Sequence, residues 1–132
     1  MVALVYFDLS EDASFTYQKP LLTWLKKQYP NVTTFDLDKA SEPMLFHHAQ
    51  RLLQGARFCL LFLKTGQKQI LGPEMQLLDA LFKKTTGVAV AICGQHAHLE
   101  TVLKARPAIA FAQATLEEDL HPFLASFFEL KD

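Results

Sequence analysis

Apolar residues along this chain fall into five short runs, separated by stretches in which apolar positions recur with helical spacing. The runs are almost continuously apolar and do not alternate with polar residues, which is typical of parallel strands covered on both faces. The fifth run is weaker, and the second is more polar and suits a sheet edge. Strands are therefore predicted at residues 2–7, 32–35, 58–63, 88–92 and 108–112.

Five helices are predicted between and after these strands. The first begins near Pro20, because proline fits the first helical turn, and it stops before Pro30. The second follows residues 41–43 and ends at Gly55 as its C′ residue. The third spans residues 73–84, the fourth about 98–104, and the fifth follows a capping-box pattern at residues 115–118. The predicted inner face of the second helix is Met44, Leu45, His48, Ala49 and Leu52.

Repeated strand–helix units with short connections imply right-handed crossovers. The expected fold is α/β, a three-layer, doubly wound sheet of five parallel strands in the order 2-1-3-4-5. Residues 1–132 form one domain, since no linker or repeat divides the chain. Residues 8–19 are predicted to be a long loop after the first strand.

Composition narrows the possible functions. The 13 basic and 14 acidic side chains give a formal net charge of −1 without a basic stripe, so nucleic-acid binding is not expected. The apolar runs are shorter than the ~20 residues of a membrane span, and the N-terminus lacks the features of a signal peptide. We expect a cytoplasmic protein that does not enter a membrane. Cys59 and Cys93 are expected to be reduced packing residues.

Candidate chemistry gathers where the order of the strands reverses, between the first and third strands. The loops starting at Asp8 and at Lys64 converge there, so Asp8, Asp12, Lys64 and Thr65 are candidate ligand-binding residues. Glu74, at the start of the third helix, is the candidate catalytic residue. A carboxylate there can stabilise positive charge developing on a sugar ring or hold a ribose hydroxyl.

Each of these residues also has a purely structural interpretation. Acidic side chains favour the first turn of a helix because of its dipole, which explains Glu74 without catalysis. Loop solvation and helix capping explain Asp8 and Asp12.

Several known kinds of site do not fit the sequence. No aspartate ends the third strand, which argues against phosphotransfer, and neither a glycine-rich phosphate loop nor a dinucleotide fingerprint is present. The cluster at residues 93–98 lacks the second ligand pair of a zinc site. No cofactor and no metal are expected.

Three segments resemble the TIR-like superfamily, whose layout nucleoside deoxyribosyltransferases share. They are residues 5–12, which resemble the opening strand and its Ser/Asp loop, residues 49–63, and residues 72–78 at the helix start that bears the family's glutamate. In enzymatic members that glutamate supports cleavage of the nicotinamide–ribose bond of NAD. The resemblance implies that Glu74 takes this role and that Phe7 and Ser10 line a nucleotide pocket.

Two functions are therefore expected. The first is a TIR-like domain that binds a nucleotide such as NAD, or hydrolyses its N-glycosidic bond, in signalling or defence. The alternative is a non-catalytic, TIR-like or receiver-like interaction module. Residues 71–73 favour this alternative, because Leu-Gly-Pro stands where the family often has a tryptophan-cysteine pair. The expected partner is a nucleotide ligand or a second copy of the chain in a homo-oligomer.

Overall fold

The computed structural model describes residues 2–8, 20–38, 42–65, 73–84, 86–95 and 97–129. Strands and helices alternate along the chain, and an additional 3₁₀-helix precedes the last α-helix. The elements are β1 (Val2–Asp8), α1 (Pro20–Gln28), β2 (Thr33–Asp38), α2 (Pro43–Gly55), β3 (Phe58–Lys64), α3 (Pro73–Phe82), β4 (Val88–Cys93), α4 (Ala97–Lys104), β5 (Ala110–Ala114), the 3₁₀-helix (Glu117–Leu120) and α5 (His121–Glu129).

The five strands form one parallel sheet in the order β2-β1-β3-β4-β5, which confirms the predicted fold class. β1, β3 and β4 lie inside the sheet, and these are the strands with the most continuous apolar runs. In β1 from Ala3 onward, and throughout β4, the residues on both faces are buried because helices cover both faces of a parallel sheet.

Two hydrophobic cores lie on opposite faces of the sheet. Side chains alternate between the faces along each strand, so neighbours such as Tyr6 and Phe7 belong to different cores. Phe7 faces the core that α2, α3 and α4 cover, whereas Tyr6 faces the core that α1 and α5 cover. This alternation decides which side chains can meet at the end of each strand.

The inner face of α2 differs from the prediction. Phe46, Ala49 and Leu53 are buried, whereas Met44 is 77% exposed and Leu45 is 40% exposed. The sequence contains two apolar stripes one residue apart, and the large ring of Phe46 takes the inner position, with its centroid 5.2 Å from that of Phe7. The predicted inward position of His48 is wrong for the same reason, since this residue is exposed.

Two helix termini also differ from the prediction. Gly55 is the last residue of α2 and does not adopt the positive φ of a C′ glycine; the N–H of Ala56 donates to the Leu52 carbonyl. The capping box at residues 115–118 does not form, because Leu116 occupies the cap position of the 3₁₀-helix without a side-chain cap. The α-helix begins only at His121, so that Pro122 lies in its first turn, where proline is tolerated.

No helix within the described ranges has both the length and the apolar character needed to cross a membrane. The predicted loop at residues 8–19 lies outside the described residues, apart from Asp8.

Candidate functional site at the carboxyl edge of the sheet

The register of the sheet places polar residues side by side at the carboxyl ends of the central strands. Asp8, the last residue of β1, is in register with Lys64 at the end of β3. Lys64 is in turn in register with Cys93, the last residue of β4. Because the carboxyl ends of parallel strands meet at one edge, three groups with different chemistry lie next to one another at the reversal of strand order.

Glu117 joins this row from the 3₁₀-helix that follows β5. Its Oε1 accepts a hydrogen bond of 2.5 Å from the Tyr6 hydroxyl. The same oxygen lies 3.8 Å from Nζ of Lys64. The Glu117 carboxylate therefore has a defined position, held by a neutral donor and a nearby ammonium group. Together, these neighbouring polar residues are called the edge cluster: Tyr6, Asp8, Lys64 and Glu117.

The edge cluster combines burial with access to solvent. Asp8 is 1% exposed, whereas the side chains of Lys64 and Glu117 are 35% and 17% exposed. Two carboxylates and one ammonium group give the cluster a formal charge of −1. Lys64 and Glu117 can therefore contact a ligand, while Asp8 acts from beneath through its charge.

Burial and negative charge raise the pKa of the Tyr6 hydroxyl well above its ordinary value. The largest cause is desolvation, followed by the hydrogen bond to Glu117 and by the charges of Glu117 and Asp8. A phenolate beside these carboxylates would be buried and repelled. Tyr6 therefore remains a protonated donor at neutral pH and anchors Glu117.

The Cys93 thiol is not activated by its position beside Lys64 at the end of β4. Burial, followed by the charge of Glu117, raises its pKa to about 11, and the positive charge of Lys64 opposes this only in part. Its Sγ lies 3.5 Å from the carbonyl oxygen of Thr115, to which it donates. A protonated, hydrogen-bonded thiol is a poor nucleophile, so we assign Cys93 a packing role.

Backbone contacts tie together the chain segments that leave β3, β4 and β5. The N–H of Thr65 donates to the Cys93 carbonyl over 2.9 Å, and the Thr65 hydroxyl reaches the same oxygen over 3.2 Å. The N–H of Gly94 donates to the Ala114 carbonyl over 2.8 Å. Gly94 has φ +112°, where a Cβ would collide with the Thr65 hydroxyl, so only glycine fits this junction.

An open cavity of about 290 Å³ lies beside Glu117, where α1 begins near the 3₁₀-helix. A second cavity of about 550 Å³ shares Pro20 with it and runs along α1 past Trp24. The rings of Trp24 and His121 stack with a centroid distance of 4.1 Å, which fixes α1 against α5. The cavity beside Glu117 is lined by Pro20, Leu21, Leu116, Glu117, Glu118 and His121.

The structure brings only some of the candidate ligand-binding residues together. Asp8 and Lys64 are neighbours, and Thr65 lies directly beyond Lys64. Phe7 is completely buried against Phe46, so its ring offers no surface to a ligand. Ser10, like Asp12, lies outside the described residues.

Glu74 lies in the first turn of α3, as predicted, but its side chain is outside the described part of the structure. Leu77 and Leu81 of α3 pack in the core on the face of the sheet that holds Phe7, opposite the face on which Tyr6 lies. The start of α3, where Glu74 is located, and Tyr6 of the edge cluster thus belong to opposite faces of the sheet.

Tyr6 and Glu117 were not among the residues predicted from the sequence. Their hydrogen bond joins positions 111 residues apart, and no local motif marks such a pair. Only the presence of a tyrosine within an apolar strand points to this pair, because a buried hydroxyl requires a hydrogen-bond partner.

Within the described residues, no group of three or more His, Cys, Asp or Glu side chains is arranged to hold a metal ion. Comparison of the chain with models of protein families, with curated proteins and with solved structures gives no match.

Proposed function

We propose that this chain is a TIR-like domain that binds a nucleotide such as NAD at the carboxyl edge of its sheet and hydrolyses the N-glycosidic bond. The main support is the edge cluster, in which Asp8, Lys64 and Glu117 lie together where the strand order reverses. Open α/β sheets place their ligands at such a reversal.

The chemistry of the edge cluster suits a phosphorylated ribose. The Lys64 ammonium group is partly exposed and can attract a phosphate, while the Glu117 carboxylate can accept hydrogen bonds from ribose hydroxyls. Tyr6 keeps that carboxylate in place, because its own hydroxyl stays protonated. A ligand with both phosphates and hydroxyls therefore uses the charges of both Lys64 and Glu117.

In the hydrolytic step, the bond between ribose C1′ and the nicotinamide nitrogen breaks, and its electron pair leaves with the nitrogen. Positive charge then develops on the ribose ring, and water adds to C1′ with loss of a proton. Glu74 stabilises this charge from the first turn of α3. Removing such an electrostatic interaction costs on the order of 10²–10³-fold in rate.

The test is incubation of the purified chain with NAD, with nicotinamide release followed by chromatography and NAD affinity measured by equilibrium dialysis. We expect Glu74→Gln to lose turnover with little change in affinity, and Glu117→Gln to weaken binding. Glu129→Gln, an exposed change at the end of α5, is the matched control and should behave as wild type. If wild-type protein neither binds nor cleaves NAD, the proposal fails. Turnover that persists in Glu74→Gln removes Glu74 from the mechanism.

The second candidate function is a non-catalytic interaction module. It is supported by two consecutive apolar side chains at the surface of α2, with Met44 77% exposed and Leu45 40% exposed. Contiguous exposed apolar surface marks protein–protein interaction sites. Concentration-dependent assembly without NAD turnover would favour this function over the first.

A further inference from the structure

The two outermost strands of the sheet, β2 and β5, differ in how they are protected against pairing with another strand. β2 forms one edge and carries the exposed, charged Asp36, which discourages pairing with another strand. β5 forms the other edge, and in the described part of the chain it pairs with β4 alone. Its sequence, Ala-Phe-Ala-Gln-Ala, carries neither charged residues nor proline, the side chains that usually protect an edge.

We propose that β5 is a self-association surface. It pairs antiparallel with β5 of a second copy, which forms a two-fold dimer with a continuous ten-stranded sheet. The proposal concerns the sheet edge and does not depend on nucleotide binding.

The sequence of β5 is self-complementary, as a two-fold axis requires. With the axis at Ala112, Phe111 faces Gln113 of the second copy, and Ala110 faces Ala114. No like charges oppose each other across the axis, and the alanines let two backbones approach closely. An isologous interface requires this match of a surface with itself.

Charged residues flanking β5 favour the antiparallel arrangement. Lys104 and Arg106 precede the strand, Glu118 and Asp119 follow it, and all four are exposed. An antiparallel pair brings the basic flank of one copy toward the acidic flank of the other at both ends. A parallel pair would instead bring like charges together, so electrostatics selects the two-fold arrangement.

The same edge leaves apolar surface incompletely covered. Phe111 is only partly buried against the core under α2, α3 and α4. Ala112 and Ala114 are partly buried on the other face, as are Phe123 and Phe127 of α5. A second copy paired along β5 would cover part of this surface in addition to satisfying backbone groups. Since β5 has only five residues, we expect an interface at the small end of the specific range and a dissociation constant on the order of micromolar.

Sedimentation velocity over a range of concentrations tests the dimer in the full chain. We expect monomer at low concentration and a discrete dimer at high concentration. Lys104→Glu with Arg106→Glu should weaken the dimer at least tenfold, and adding Glu118→Lys and Asp119→Lys should restore it. The matched control, Lys26→Glu at an exposed position of α1, should leave the dissociation constant unchanged.

Cross-linking locates the axis independently. In an antiparallel pair, residues on the axis have Cβ atoms close enough for a disulfide. We expect Ala112→Cys to form a covalent dimer on mild oxidation, while Gln28→Cys, at an exposed position in α1, does not. Circular dichroism confirms that each variant is folded.

A protein that stays monomeric at all concentrations overturns the proposal. So does a dimer that responds equally to Lys26→Glu, or that cross-links through Gln28→Cys but not through Ala112→Cys. NAD turnover is measured separately, so failure of the dimer leaves the proposed function unaffected.

Discussion

Removing the Tyr6 hydroxyl tests whether the edge cluster contributes to stability. In Tyr6→Phe the ring keeps its stacked contact with Phe62, at a centroid distance of 5.1 Å, and the hydrogen bond to Glu117 is lost. A hydrogen bond to a charged group contributes about 1.5–3 kcal/mol. Glu117 is 17% exposed and keeps Lys64 at 3.8 Å, which reduces the loss. We expect Tyr6→Phe to lower the free energy of unfolding by about 1–2 kcal/mol at pH 7.5.

The effect of Tyr6→Phe should depend on pH in one direction. Burial raises the pKa of Tyr6 in the folded protein, while in the unfolded chain its pKa is about 10. Its stabilising contribution is therefore fully present below pH ~10 and falls above it by about 1.4 kcal/mol per pH unit. The phenylalanine variant lacks this titration, so the difference between the two proteins should shrink as the pH rises above ~10.

Urea unfolding at a series of pH values from neutral to alkaline measures both effects. Tyr29→Phe serves as the matched control, because it removes a hydroxyl from a partly buried ring outside the edge cluster. We expect this control to change stability by less than about 0.5 kcal/mol. A Tyr6→Phe variant as stable as wild type at pH 7.5, or a difference that stays constant through the alkaline range, would contradict a stabilising hydrogen bond between Tyr6 and Glu117.

Three further predictions concern glycine and cysteine positions. Gly94→Ala should destabilise the fold by about 2–4 kcal/mol, because φ is +112° and the new Cβ would collide with Thr65; an unchanged urea midpoint would contradict this. Gly55→Ala should stabilise by about 0.5–1 kcal/mol, since the helical site has open space for a Cβ; thermal unfolding should show a higher midpoint. Cys59 and Cys93 are buried, with pKa values of about 11, so neither should react with iodoacetamide at pH 8 until urea unfolds the protein; rapid labelling of the folded chain would show that a thiol is accessible.

The fold could be predicted because its signals are local. Each central strand is a continuous apolar run, and the repeated strand–helix units leave few possible strand orders. The rotation of α2 could not be predicted, since Met44 and Phe46 both belong to plausible apolar stripes. Only the position of Phe7 beneath the helix, supplied by the sheet, decides between them.

The site could be predicted only where it depends on strand ends. Asp8 and Lys64 terminate predicted strands, and the strand order makes them neighbours. Glu117 follows the last strand in a segment whose sequence predicts an α-helical start, whereas the chain forms a 3₁₀-helix that directs this carboxylate toward Tyr6. A contact between the two ends of the chain depends on the assembled sheet and has no local signature.

The most direct test of the account is to map NAD binding by amide chemical shifts of the labelled protein. We predict that NAD perturbs amides at the carboxyl edge, including Asp8, Lys64 and Glu117, and leaves Gly87 unchanged, because Gly87 immediately precedes β4 at the opposite edge of the sheet. Saturable shifts around Gly87 with none at the edge cluster, or no shifts at millimolar NAD, would contradict a nucleotide site at the carboxyl edge.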